Sequence, residues 1–250
     1  MYRKLICIGL LLFITQWGIA QVQSGSVKYK IETLYNVYEA YHKKTAKNGK
    51  LSSFDKRFFS TIDKALPYLT YHLKFNRSES IFKSNSYLPN DNGVDIESAV
   101  HFSASEGVFY TNIRQNLKLR QFNYLGRDWL VEHPQNELKW HITDDTKMIN
   151  GYLCKKATAT FQALSIPKQE ITAWFAPELP FPYGPTYYTG LPGLVLEVEQ
   201  FFFRIYAAEI NFSEREKNIK APTKGKRLSV EAFTKERHAI ANRLKAASRH

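Results

Sequence analysis

Cysteine is almost missing from this chain. Only Cys7 and Cys154 occur in 250 residues, and Cys7 lies in an apolar run near the start, so a disulfide framework cannot hold the rest together. Long apolar runs are missing as well. The run Leu5–Ile14 falls short of the roughly 20 residues that cross a bilayer core, and no second one follows, so no transmembrane span is expected after it. There is no Gly-x-Ser-x-Gly, no Cys-x-x-Cys, no P-loop and no His-Glu-x-x-His. That removes the common nucleophile elbows, redox pairs and phosphate cradles. The seven histidines, at 42, 72, 101, 133, 141, 238 and 250, are scattered without ligand spacing. Neither a metal nor a cofactor is expected.

The start of the chain has the build of a secretory leader. Arg3 and Lys4 form a charged n-region, Leu5–Ile14 an apolar core, and Gly18-Ile19-Ala20 a small-residue cleavage site. Residues 1–20 are therefore read as a signal peptide, with Gln21 as the first mature residue and the periplasm or cell envelope as the destination. Because Cys7 sits inside the apolar core and not at its end, a lipoprotein is not expected. Lys and Arg exceed Asp and Glu by 12, and removing Arg3 and Lys4 leaves +10. Eleven Lys/Arg against four Glu fall in residues 213–250, so +7 of that +10 is C-terminal. A basic surface favours anionic partners. Export argues against nucleic acid, which leaves an outer-membrane protein, a lipid or an anionic envelope surface.

Val27, Tyr29 and Ile31 alternate with Lys28, Lys30 and Glu32, the period of a half-buried strand. Aromatics at 35, 38 and 41 share a helical face, and Phe54, Phe58, Ile62 and Ala65 share another before Pro67, so residues 35–66 read as a helical insertion. Further strands are expected at Leu69–Phe75, Ser80–Tyr87, Val108–Asn112, Lys118–Leu125, Trp129–Glu132, Leu138–Ile142, Tyr152–Phe161, Glu170–Ala176, Leu194–Phe203 and Arg204–Phe212. Short links between them mean antiparallel pairing. Pro89–Ile96 reads as a polar loop, and Asp144-Asp145 as part of a polar turn ahead of Asn150-Gly151. A mainly-β domain thus runs over 21–212. Residues 213–250 follow as a basic linker, Pro222–Arg227, and an amphipathic helix capped by Ser229. Its apolar stripe is Val230, Phe233, Ile240 and Leu244, and its basic face includes Lys235 and Arg249.

Between the strands at 170–176 and 194–203 the chain reads PELPFPYGPTYYTGLPG, holding five of the ten prolines and three of the twelve glycines. Proline fixes φ and glycine admits positive φ, so this segment has one specified shape. Gly184, Pro185, Gly190 and Gly193 are its structural turn residues, with Gly193 expected at positive φ. Trp174, Phe181, Tyr183, Tyr187, Tyr188 and Pro192 form the candidate ligand or partner surface, because such rings can bury a face and still hydrogen-bond. They serve equally well as a plug over one end of the sheet. The letters Gly190-Leu191-Pro192-Gly193-Leu194-Val195, with Gly184-Pro185 upstream, resemble the GLPGLI family of exported bacterial proteins. The likeness extends over Gly151–Glu199, with Val195 in place of isoleucine. The resemblance implies a bacterial source and no particular activity.

The fold expected from these elements is α+β and mainly antiparallel β: a strongly curved sheet or incomplete barrel with packed helices and a C-terminal helix. In outline it is similar to periplasmic lipoprotein carriers. The function expected is a non-enzymatic binding or accessory protein for an apolar ligand, a lipid or an outer-membrane partner. Two alternatives stand beside it: a hydrolase using Cys154 with a histidine such as His141, and a ligand-free accessory subunit of an outer-membrane complex. No catalytic residue is assigned.

Overall fold

A computed structural model describes residues 22–34, 53–85, 94–103, 106–134, 138–161, 169–200 and 202–247. The expected leader, most of the insertion at 35–66 and Arg249 lie outside the described residues. Twelve strands form one sheet: β1 (Ser24–Thr33), β2 (Thr70–Asn76), β3 (Glu79–Ser84), β4 (Val108–Asn112), β5 (Leu117–Tyr124), β6 (Arg127–His133), β7 (His141–Ile149), β8 (Tyr152–Phe161), β9 (Gln169–Ala176), β10 (Leu194–Gln200), β11 (Phe203–Ser213) and β12 (Lys226–Ser229). Among the described residues three helices accompany them, α1 (Ser53–Ala65), α2 (Ile96–Phe102) and α3 (Val230–Ala247), with a 3₁₀ turn at Leu66–Tyr68.

The strand order is β12-β6-β5-β4-β3-β2-β1-β11-β10-β9-β8-β7. Two antiparallel meanders, β2 to β6 and β7 to β11, flank β1, which pairs with β2 on one side and β11 on the other. Among the described strands only β12 runs parallel to its neighbour, β6. The order forces curvature. β6 and β7 stand ten strand positions apart, about 48 Å on a flat sheet at about 4.8 Å per step. Residues 134–140 join them and reach at most about 28 Å at about 3.5 Å per residue. The sheet therefore curls until its two margins approach, yet β7 and β12 remain unpaired with each other.

The core lies inside the curl. Val27, Tyr29 and Ile31 of β1, Tyr71, Leu73 and Phe75 of β2, and Phe82 of β3 are buried, the alternation the sequence displays. Ile62 and Ala65 of α1 add to the same core. The opposite face of β3 to β6 is also covered. There Tyr110, Leu119 and Leu130 pack with Ile219 from the segment after β11. On the face of Phe82 and Phe109, at its β5–β6 end, helix α3 lays Val230, Phe233 and Ile240 on a shelf of Phe122, Trp129 and Val131, with the Phe233 ring 5.2 Å from both Phe122 and Trp129. Leu244 extends past the shelf and is exposed, and no residue of α3 is fully buried. Helix packing is thus a minor part of a mostly β fold.

Four elements differ from the sequence reading. β7 starts at His141 and runs to Ile149, so Asp144 and Asp145 belong to a strand and not to a turn. The turn itself is Asn150-Gly151, with φ of 50° and 83°, the left-handed pair that tight hairpins use. Opposite it, β7 carries a bulge between Ile142 and Thr146. A margin strand with a bulge and two aspartates resists edge-to-edge pairing, which explains polar residues where a core strand would have none. Lys226–Ser229, expected within a linker and cap, forms β12, and its Arg227 is bound to Glu132 at 2.7 Å. The strand expected at Ser80–Tyr87 ends at Ser84. Finally α2 has no counterpart in the sequence reading, which ended the polar loop at Ile96; its N-cap is Asp95, which accepts a hydrogen bond from the Ser98 N–H at 2.9 Å.

Candidate functional site

Residues 177–193 leave β9, cross the end of the curl and return as β10. Backbone hydrogen bonds fix the path: Gly190 N–H donates to Pro182 O, Leu194 N–H to Leu179 O, and Val195 N–H to Tyr183 O. Glycine is needed where the path closes on itself. A Cβ on Gly193 would collide with Ala176 O and sit 2.7 Å from its carbonyl carbon, and one on Gly184 would lie 2.7 Å from Val195 Cβ. Close approach, not the expected positive φ, is what Gly193 requires. Gly190 is the reverse case, with φ of 91° and open space around it. Gly193→Ala should therefore cost about 1–3 kcal/mol, as overpacking against backbone does, and lower the midpoint of chemical denaturation. An unchanged midpoint would show that the β9 end gives way freely.

The aromatics of the segment point into the molecule. Phe181, Tyr183 and Tyr188 are buried, Tyr187 is half-buried, and only Pro192 among the segment's candidate surface residues is exposed. Of the two directions open from the sequence, an outward surface or a plug over one end of the sheet, these rings take the second, because the Gly-Pro turns fold the segment back under the sheet. Phe181 and Tyr183 stand 4.6 and 6.3 Å from the Phe75 ring. The Tyr188 hydroxyl donates to Gln200 Oε1, and Gln200 Nε2 donates to Ser103 O at 3.1 Å. Tyr187 meets Phe109 at 4.8 Å and the His133 ring at 4.3 Å. Trp140 Nε1 donates to Thr189 O at 3.0 Å. His133 ends β6 and Trp140 precedes β7, so one segment ties together the two margins that the chain order brings near.

Trp174 is half-buried in a different environment. Lys147 Nζ lies 4.3 Å from its ring centroid and donates to Glu197 Oε1 at 2.6 Å. Glu197 is buried, with Arg204 Nη1 at 3.9 Å. This is an ion cluster that holds the β7–β8 hairpin to β10. Cys154 lies beside it, opposite Lys147 in register. The thiol is buried, and burial pushes it up to about 11, against the opposing pull of Lys147. His141 is exposed and faces Thr158, four residues along β8 from Cys154, about 13 Å at strand rise. The pair is not brought together. His133 and His141 stand on opposite margins of the sheet order instead of in one hairpin. Asp145 is held low by its hydrogen bond to Lys156, an outer-face contact. Among the described residues no group of three or more His, Cys, Asp or Glu is placed to hold a metal ion.

One residue at the mouth escaped the sequence reading. Arg120 projects from β5 on the face of Phe122, and its guanidinium carbon lies 4.3, 5.2 and 6.0 Å from the ring centroids of Phe122, Phe109 and Tyr187. Its Nε donates to Glu106 O at 3.1 Å. On the same face, Lys118 pairs in register with Thr111 and His133 and is buried. Thr111, Lys118 and His133, with Phe109, Thr186 and Tyr187 but not Arg120, line a neighbouring cavity of about 10 Å³, room for about one water molecule. Thr186 has φ of 49°, a strained backbone for a β-branched residue. Alternation in LKLRQFNY suggests an apolar face of Leu117 and Leu119 and a solvated one of Lys118 and Arg120. Both faces of β5 are in fact covered, so the signal was present and pointed outward.

A family described as "Protein of unknown function (Porph_ging)" matches residues 162–197, a stretch that contains the whole aromatic segment. No curated protein matches the chain. Two solved structures are similar in fold. One is titled "Structure of PNGF-II in P21 space group", with a TM-score of 0.50 and 13% identity over 86% of this chain and 33% of that one. The other, "Structure of PNGF-II in C2 space group", has a TM-score of 0.48 and 15% identity over 85% and 32%. The chain spans about a third of the length of these solved structures. At such identities the likeness is one of fold alone.

Proposed function

We propose that this chain is an exported, non-enzymatic binding or accessory protein of the bacterial cell envelope and a member of the GLPGLI family. It meets its ligand or partner at the mouth of the curled sheet, around Tyr187, instead of enclosing it. The observation that carries this reading is the burial of Phe181, Tyr183 and Tyr188 inside the curl. In a half-barrel carrier that space would hold the cargo; here the chain's own rings occupy it. The match over residues 162–197 supports family membership, since Gly190–Val195 lies within it. A raised, buried Cys154 far from His141 supports a role without covalent chemistry. No helix among the described residues is long and apolar enough to cross a membrane.

Expression of the full precursor in a bacterial host, followed by fractionation, intact mass and a fluorescent fatty-acid loading assay, tests the proposal. The expected result is an envelope-fraction protein beginning at Gln21, with no stoichiometric acyl-chain loading and no alkylation of Cys154 at neutral pH. A chain retained in the cytoplasm with Arg3 in place would overturn the export reading. One acyl chain bound per protein would overturn the filled interior.

A further inference from the structure

The most unusual charge in the molecule is Arg120. Arg120 is half-buried, and an arginine so placed on a sheet face is ordinarily met by a carboxylate, because desolvating an unpaired charge is costly. Here the guanidinium is framed by the rings of Phe109, Phe122 and Tyr187, and its single hydrogen bond among the described residues runs from Nε to a backbone carbonyl. The Nη donors carry no acceptor among those residues. Carboxylates on the neighbouring elements are engaged elsewhere: Glu106 with His101, Asp128 with Lys224, and Glu132 with Arg227. Aromatic faces attract the cation without neutralising it, and they hold the planar fork in a fixed orientation.

We propose that Arg120 anchors an oxyanion site at the mouth of the curled sheet, taking the terminal carboxylate or phosphate group of a ligand whose body stays outside. This rests on the reading of the protein as a binding protein that works at its mouth. Three features support the ligand class. The free edge of the guanidinium matches two oxygens of a carboxylate or phosphate, the geometry in which arginine binds most specifically. The neighbouring cavity of about 10 Å³, which shares Phe109 and Tyr187 with the ring frame and is not lined by Arg120 itself, admits one oxygen-sized group and nothing larger, so only the anionic tip of a ligand enters. Thr186, strained at φ 49°, lines that cavity, and held strain of this kind clusters at sites that bind.

The test is an NMR titration of the full chain as exported, with inorganic phosphate and with acetate, against chloride at equal ionic strength. The Arg120 Nε–H and the amides of Lys118–Phe122 and Thr186–Tyr187 are followed, in the wild type, Arg120→Lys and Arg120→Gln. The expected result is a saturable shift of Arg120 Nε–H with one or both probes, at least tenfold weaker binding at the same amides in Arg120→Lys, and none in Arg120→Gln. Saturation by acetate alone assigns a carboxylate-ended ligand, and by phosphate alone a phosphate-bearing one; either outcome supports the site. Equal binding in the three proteins, an equal response to chloride, or no saturable shift at Arg120 would each overturn it. Thermal melts identify a variant that has lost its fold, and Arg120→Lys, which keeps the charge, then carries the comparison. Export and acyl-chain loading are measured separately, so failure of the anion site leaves the mouth-binding reading standing, and failure of export leaves the titration interpretable.

Discussion

Truncation of Tyr183 to alanine is expected to cost about 3–5 kcal/mol, the range for removing a large buried ring. At about 2–4 °C per kcal/mol for a chain of this size, the melting temperature falls by about 6–20 °C. Tyr183 has no exposed surface and packs on Phe75 from within the segment that fills the curl. Its hydroxyl has no hydrogen-bond partner among the described residues. The ring and the hydroxyl therefore have opposite effects, and Tyr183→Phe separates them. Leaving a buried hydroxyl unpaired costs about 1–3 kcal/mol, so the phenylalanine variant should match or exceed the wild type. Calorimetry on the three proteins decides. A Tyr183→Phe variant as unstable as Tyr183→Ala would show that the hydroxyl is satisfied and that filling the curl is not the residue's main contribution.

Alkaline pH is the second large lever. Burial raises the acid groups of Cys154, Tyr29 and Tyr183 above their ordinary values. Tyr29 also donates to Val195 O at 2.6 Å, a bond that needs the proton. Each is an acid whose neutral form the fold prefers. Stability from such groups is fully present below the unfolded pKa and is lost as pH rises toward the folded one. For Cys154 the window runs from 9.0 to about 11, which amounts to about 2–3 kcal/mol at about 1.4 kcal/mol per unit. The tyrosines add further loss above 10.0, their ordinary value. The urea midpoint should hold level to about pH 9 and then fall. Cys154→Ala should flatten the first part of that fall. A midpoint constant from pH 8 to 11 would contradict the burial of all three.

Much of the sheet was legible because strand period and turn residues agree. Tyr152–Phe161 and Val108–Asn112 were read with the bounds they have in the structure. What failed did so for identifiable reasons. β7 looks polar because it is a margin strand with a bulge, and pattern reading expects strands to show a buried face. β12 has four residues, two of them basic, and pairs in parallel with a strand about 100 residues earlier, which nothing local announces. The candidate residues of the aromatic segment were found from composition, which left two directions open, outward surface or inward plug: proline and glycine specify a shape without saying which side of it faces water. Arg120 illustrates the same limit. Its alternation is visible, yet the coverage of both faces of β5 depends on Ile219 and α3, far along the chain.

The central place of β1 has a consequence for how the protein acquires its structure. Ser24–Thr33 pairs with Phe203–Ser213 on one side, so the middle of the sheet joins the first and nearly the last strand made. Contacts of such sequence separation slow folding, because loop closure must precede the bonds that reward it. Until β11 arrives, one side of β1 is an open ladder of N–H and C=O groups, the kind of edge that recruits other chains. Interrupted synthesis anywhere before residue 203 would release a half-sheet prone to associate with itself, whereas loss of α3 alone would leave β1 paired on both sides.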